Sequence, residues 1–148
     1  MKPNILIVEA RFYDHISSML LDGATAVLEN SGASFERITV PGALEIPPAI
    51  LFATRAGEGA GKSFDGFIAL GCIIRGETDH YEFICRASMD GIMSVSLQFG
   101  LCVGTGLLTC DTLKQAEARS SMDGFNKGAE AAAAALLQIN AARRLGAA

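Results

Sequence analysis

The chain has 148 residues, 50% of them hydrophobic and only 19% charged, with a formal net charge of −4 and four cysteines. That length makes a single domain, residues 1–148, with a core of its own, and the acidic balance offers no basic footprint for nucleic acid. No apolar run approaches the roughly 18 residues needed to span a membrane, and Cys72, Cys85, Cys102 and Cys110 form no C-x-x-C pair that would suggest zinc or redox chemistry, so they read as buried thiols.

Met1-Lys2-Pro3-Asn4 runs straight into the strand-like Ile5 to Val8 without the pattern of a signal peptide, which points to a cytoplasmic protein. A helix from about His15 to Glu29 follows, with Ile16, Met19, Leu20, Ala24, Val27 and Leu28 on one face and Asn30-Ser31-Gly32 ending it. Phe35 to Val40 is the second strand. Pro41-Gly42 then turns the chain into a helix from Leu44 to about Arg55, where Pro47 and Pro48 are tolerable only in the first turns.

After the glycine-rich stretch 57–61, Gly66 to Leu70 reads as a buried third strand. The helix from Asp79 to about Phe99 carries Tyr81, Ile84, Cys85, Ser88, Ile92 and Val95 at spacings of three and four, and Asp79 with Glu82 resembles a capping box. Val103 to Thr109 is the fourth strand and Leu113 to Arg119 a short helix. A last helix from Asn126 to about Leu145 is driven by the alanine run Ala131 to Ala135. Strands alternating with helices imply right-handed crossovers and a parallel sheet covered on both faces, a three-layer α/β/α sandwich of flavodoxin-like type with strand order 2-1-3-4. Ligands in such sheets bind beyond the carboxyl ends of the strands, where the unusual local sequences gather.

The densest of these is Gly71 to Glu82, a strand, a glycine turn and a helix start in succession. Unpaired backbone N–H groups and the positive end of the helix dipole would let Gly76, Glu77 and Thr78 hold an anion such as phosphate, with His80 in the first turn beside it. Histidine is the residue type suited to proton transfer at physiological pH, whereas His15 reads as a solvated side chain. Arg75, Arg119 and Lys127 are further candidate anion ligands. Glu45 should stand at the same rim, and Phe12, directly after the first strand, offers a ring for stacking on a flat heterocycle. Gly104-Thr105-Gly106 resembles a phosphate loop only faintly and lacks the fingerprint and lysine of a nucleotide site.

Val40 to Pro47, Gly71 to Glu82, Gly106-Leu107-Leu108-Thr109, Gln115-Ala116 with Arg119, and Asn126-Lys127-Gly128 with Glu130-Ala131-Ala132 together resemble the lumazine synthase family, in order and over nearly the whole chain. The resemblance implies a transferase of riboflavin biosynthesis. It would condense two small molecules, 5-amino-6-(D-ribitylamino)uracil and 3,4-dihydroxy-2-butanone 4-phosphate, to 6,7-dimethyl-8-ribityllumazine and phosphate, with no metal or organic cofactor. By position, Phe12 would stack on the pyrimidine ring, Ala43, Leu44 and Glu45 would bind the ring and ribityl chain, and Cys72, Ile73 and Ile74 would give backbone contacts to the uracil. Glu77 and Thr78 would meet the phosphate, and His80 would carry the proton. A neighbouring subunit of a homopentamer would add Thr105, Arg119 and Lys127. Tyr13 and Thr105 depart from the family's frequent asparagine and aromatic. A non-catalytic flavin or lumazine binder and a shell-forming subunit are the alternatives on the same fold.

Overall fold

The computed structural model describes residues 1–148, and every expected element is present. In chain order they are β1 (Asn4–Ala10), α1 (Asp14–Ser31), β2 (Ser34–Val40), a 3-10 turn (Ala43–Glu45), α2 (Ile46–Glu58), β3 (Gly66–Ile74), α3 (His80–Phe99), β4 (Val103–Cys110), α4 (Leu113–Ala118) and α5 (Lys127–Arg144). The four strands form one parallel sheet in the order β2-β1-β3-β4.

Strand side chains alternate between faces, so each central strand feeds two cores. Ile5 and Ile7 of β1, with Ile68 and Leu70 of β3, pack against Ile16, Leu20, Ala132 and Ile139 of α1 and α5. Leu6, Val8, Phe67 and Ala69 face Ile46, Ile50, Ile92 and Val95 of α2 and α3. The two clusters hold 17 and 14 buried residues, so neither face is a minor one and the sandwich is a true three-layer structure. Truncating the fully buried Ile68 to alanine would cost about 2–5 kcal/mol.

The glycines of β4 are explained by this packing. A Cβ on Gly104 would collide with the carbonyl of Ala131, and one on Gly128 with the carbonyl of Leu20. Helix α5 therefore lies backbone-close to both β4 and α1, through glycine and the small Ala131, Ala132 and Ala135. The Gly104-Thr105-Gly106 stretch serves this contact and does not form a phosphate loop.

Local chemistry sets the helix ends. Gly32 and Gly100 close α1 and α3 with φ of 79° and 64°, the left-handed conformation that glycine adopts without strain. Asn126 caps α5 by accepting from the N–H of Ala129 at 3.0 Å, and Thr112 caps α4 through the N–H of Gln115 at 3.2 Å. Three boundaries differ from expectation. Strand β3 runs on to Ile74, because Gly71 sits where a Cβ would meet the Leu107 side chain at 2.7 Å, a close approach that is no strand break. The second helix begins as the 3-10 turn over Leu44 and becomes α-helical only at Ile46. No capping box forms at α3: Asp79 makes no side-chain cap bond, and the Thr78 hydroxyl accepts from the N–H of His80 at 3.3 Å instead. No helix is long and apolar enough to cross a membrane.

Candidate functional site

At the carboxyl ends of β1 and β3 lies a cleft of about 240 Å³. Its walls come from four stretches of chain: Phe12 and Tyr13 after β1, Gly42 and Ala43 after β2, Cys72 to Ile74 at the end of β3, and Gly76, Thr78, His80, Tyr81 and Ile84 from the turn and the start of α3. The crossover at β1/β3 is the point where the strand order reverses, which is why an opening exists there. The walls are mostly apolar, so a bound ring system would be stripped of water, with Thr78 and His80 among the few polar side chains that line it.

His80 is the first residue of α3 and is exposed, with no protein hydrogen bond to its ring, so both nitrogens are available to a ligand. Phe12 is 76% exposed, and its one aromatic neighbour is Tyr13, edge-on at 5.0 Å between ring centroids. Cys72 lies in the wall, and burial, with a smaller contribution from Cys110, pushes its thiol up to about 12, so it presents a neutral surface and no nucleophile. Burial also raises the Tyr81 phenol.

Arg75 does not serve as a free anion ligand. Its Nε donates to Asp111 Oδ1 at 2.8 Å, its Nη1 is 3.5 Å from Glu82 Oε1, and its guanidinium stacks 4.4 Å above the Tyr81 ring. The hydrogen bond to Asp111 leads the causes that raise its pKa. It acts as a strut between β3, β4 and α3, at the root of the turn 75–79. A second ion cluster closes the end of β1. Glu9 is fully buried; its Oε1 accepts from Arg11 Nη1 at 2.6 Å, and its Oε2 lies 3.1 Å from Arg37 Nη1 but outside hydrogen-bonding geometry, leaving that oxygen buried without a hydrogen bond.

Of the residues singled out in the sequence, the cleft brings together Phe12, Ala43, Cys72, Ile73, Ile74, Thr78 and His80. Leu44, Glu45 and Glu77 are exposed close by in chain but do not line it. The other three stand apart from it. Thr105 is half-buried in mid-β4, in register with Ala69; Arg119 is exposed after α4, its Nη1 donating to the carbonyl of Gln115 at 3.1 Å; and Lys127 opens α5, paired with Glu130 at 2.9 Å. Tyr81 and Ile84 were legible only as inward-facing helix positions, and the first turn of that face is the part that reaches the cleft. Glu9, just past the expected strand end, carried no signal beyond a lone carboxylate after an apolar run.

A family model described as 6,7-dimethyl-8-ribityllumazine synthase matches residues 2–143. The chain is 48% identical to the 6,7-dimethyl-8-ribityllumazine synthase of Nitrobacter winogradskyi over 141 residues, 95% of this chain and 86% of that one. It is 48% identical to the Bartonella tribocorum protein of the same name over 145 residues (98% and 93%), and 50% identical to that of Methylocella silvestris over 144 residues (97% and 88%). A cleft at the topological switch point, walled largely by two of the segments that carry the resemblance, 40–47 and 71–82, and a match along almost the full length lead to one assignment: the chain belongs to the 6,7-dimethyl-8-ribityllumazine synthase family.

Proposed function

We propose that this protein is a cofactor-independent transferase that condenses 5-amino-6-(D-ribitylamino)uracil with 3,4-dihydroxy-2-butanone 4-phosphate, releasing phosphate and water and forming 6,7-dimethyl-8-ribityllumazine. The observation that carries the reading is the convergence of Phe12, Cys72 to Ile74 and His80 on one apolar cleft in a chain that matches this family over residues 2–143. An apolar slot with an exposed ring at one side suits a flat pyrimidine, and a glycine turn entering a helix suits a phosphate.

In this reading the uracil ring stacks on Phe12 and takes backbone hydrogen bonds from the Cys72–Ile74 segment, while Ala43, Leu44 and Glu45 meet the ring edge and ribityl chain. Glu77 and Thr78 hold the phosphate through the backbone N–H groups of the loop and helix start. The substrate's amine attacks the ketone carbon, water leaves to give the imine, and elimination breaks the C–O bond to phosphate. His80 moves the proton that this elimination requires. The resulting enol tautomerises to a ketone, which the second nitrogen attacks with loss of water to close the ring. Holding two reactants in register can supply up to about 7–11 kcal/mol of the barrier, which is the larger share beside acid–base help.

Thr105, Arg119 and Lys127 complete the pocket from an adjacent subunit of a cytoplasmic homopentamer. Two observations support assembly: these three residues stand away from the cleft of their own chain, and α3 exposes Phe83, Met89, Met93 and Leu97 along one face. The test is to mix both substrates and follow lumazine absorbance with phosphate release, with light scattering for the assembly. Binding of either substrate without product would overturn the enzymatic reading.

A further inference from the structure

Glu9 is the only charged residue that is completely buried, and such a carboxylate is costly unless its partners give something in return. Its hydrogen-bonded partner is Arg11, next to Phe12 in sequence. The Arg11 guanidinium donates from Nη1 to Glu9 at 2.6 Å, from Nε to Asp14 Oδ1 at 2.9 Å, and from Nη2 to Ser18 Oγ at 2.5 Å and to the Asp14 carbonyl at 3.2 Å. It thus ties the end of β1 to the first turns of α1. Ser17 adds two more ties across the same connection, its hydroxyl donating to the carbonyl of Ala10 at 3.2 Å and its N–H to that of Tyr13 at 2.9 Å. Between these fixed points only Phe12 projects outward, with its ring 76% exposed and a single aromatic neighbour. Side-chain packing does not aim that ring; the backbone on either side of it does.

We infer that Glu9 and Arg11 are positioning residues, which act through Phe12 to set the face on which the heterocyclic substrate stacks. The inference rests on the stacking role given to Phe12 above. It makes the buried charge part of substrate selection: Glu9 fixes the guanidinium, the guanidinium fixes the connection 10–14, and the connection fixes the ring. Arg37, from the edge strand β2, faces the other carboxylate oxygen and balances the charge without reaching the connection.

The test uses the intact assembled enzyme and the variants Arg11→Lys, Phe12→Ala and the double substitution, with the Michaelis constant measured for each substrate separately. A lysine keeps the charge but cannot reach Glu9, Asp14 and Ser18 at once, because that requires the separated donors of a planar fork. Arg11→Lys should raise KM for the ribitylaminouracil by roughly fivefold or more, the lower end of what is lost when a base loses an aromatic platform, and leave KM for the butanone phosphate unchanged. In the Phe12→Ala background it should add nothing, since coupled residues do not act additively. Glu9→Gln, which keeps the side chain's shape, should repeat the Arg11→Lys result and serves if the lysine variant fails to fold. If Arg11→Lys alters both substrates alike, or retains its full effect without Phe12, the inference fails while the site reading stands. If Phe12→Ala leaves KM for the uracil unchanged, the stacking role itself fails and this inference with it.

Discussion

Replacing His80 with alanine separates catalysis from stability in this protein more cleanly than any other single change. The ring is exposed, at the first position of α3, and makes no hydrogen bond within the chain, so its removal forfeits no packing and no partner. The thermal midpoint should therefore hold, since such surface changes stay within about 0.5 kcal/mol. The helix-start hydrogen bond from the His80 N–H to Thr78 at 3.3 Å is made by backbone and survives the substitution. Positioned acid–base groups contribute about 10²- to 10⁴-fold. Because this imidazole is open to solvent, water can take over part of its task, and the loss should fall at or below the lower end of that range, about 10- to 100-fold in kcat, or about 1.4–2.7 kcal/mol of activation free energy. The assay is steady-state lumazine formation with phosphate release, alongside a melting curve. Wild-type turnover in His80→Ala would remove the histidine from the mechanism. Complete loss with an unchanged melting curve would show that orientation of the two substrates is not the larger share.

If Arg119 meets the phosphate as proposed, Arg119→Ala should raise KM for the butanone phosphate and not for the uracil; equal effects on both substrates would contradict that role. Met93→Glu together with Leu97→Glu places two charges on the exposed apolar face of α3 and should yield smaller particles by sedimentation; an unchanged size would place the subunit contacts elsewhere. Cys72 should resist alkylation in the native protein at pH 8. With its thiol pushed up to about 12, the thiolate fraction is on the order of 10⁻⁴ there, and rapid labelling would refute the buried assignment. Gly128→Ala forces a Cβ into the Leu20 carbonyl and should destabilise the fold by about 1–3 kcal/mol or more, read as a fall in the denaturation midpoint.

The elements and the layers were legible because they depend on signals that lie close together in the chain: apolar runs of strand length, helical spacing, and glycine at the ends of α1 and α3. The same holds for the cleft wall formed by Thr78 and His80, where the turn and the helix start are adjacent in sequence. What the sequence hid are roles set by residues far away along the chain. Arg75 looked like an anion ligand until Asp111, 36 residues on, and the Tyr81 ring engaged it. Gly71 looked like a strand end, yet Leu107 of the neighbouring strand is what requires its missing Cβ. Asp79 and Glu82 had the spacing of a capping box, but Glu82 lies beside Arg75 and the hydroxyl of Thr78 takes the first helical N–H.

These misreadings share a direction: each assigned to a ligand, or to local geometry, a residue that the tertiary structure already employs. The turn proposed to receive phosphate is held in place by its own cation, which is engaged by Asp111, Glu82 and the Tyr81 ring. With Arg75 bound to Asp111 and stacked on Tyr81, no free guanidinium of this chain stands at the turn 75–79. Charge neutralisation of a bound phosphate therefore has to come from the helix start, which carries only about half a unit of positive charge, and from a cation outside the chain's own cleft. A phosphate dianion left with the helix start alone would remain largely uncompensated, and this shortfall is the physical reason to expect an arginine from a second subunit there.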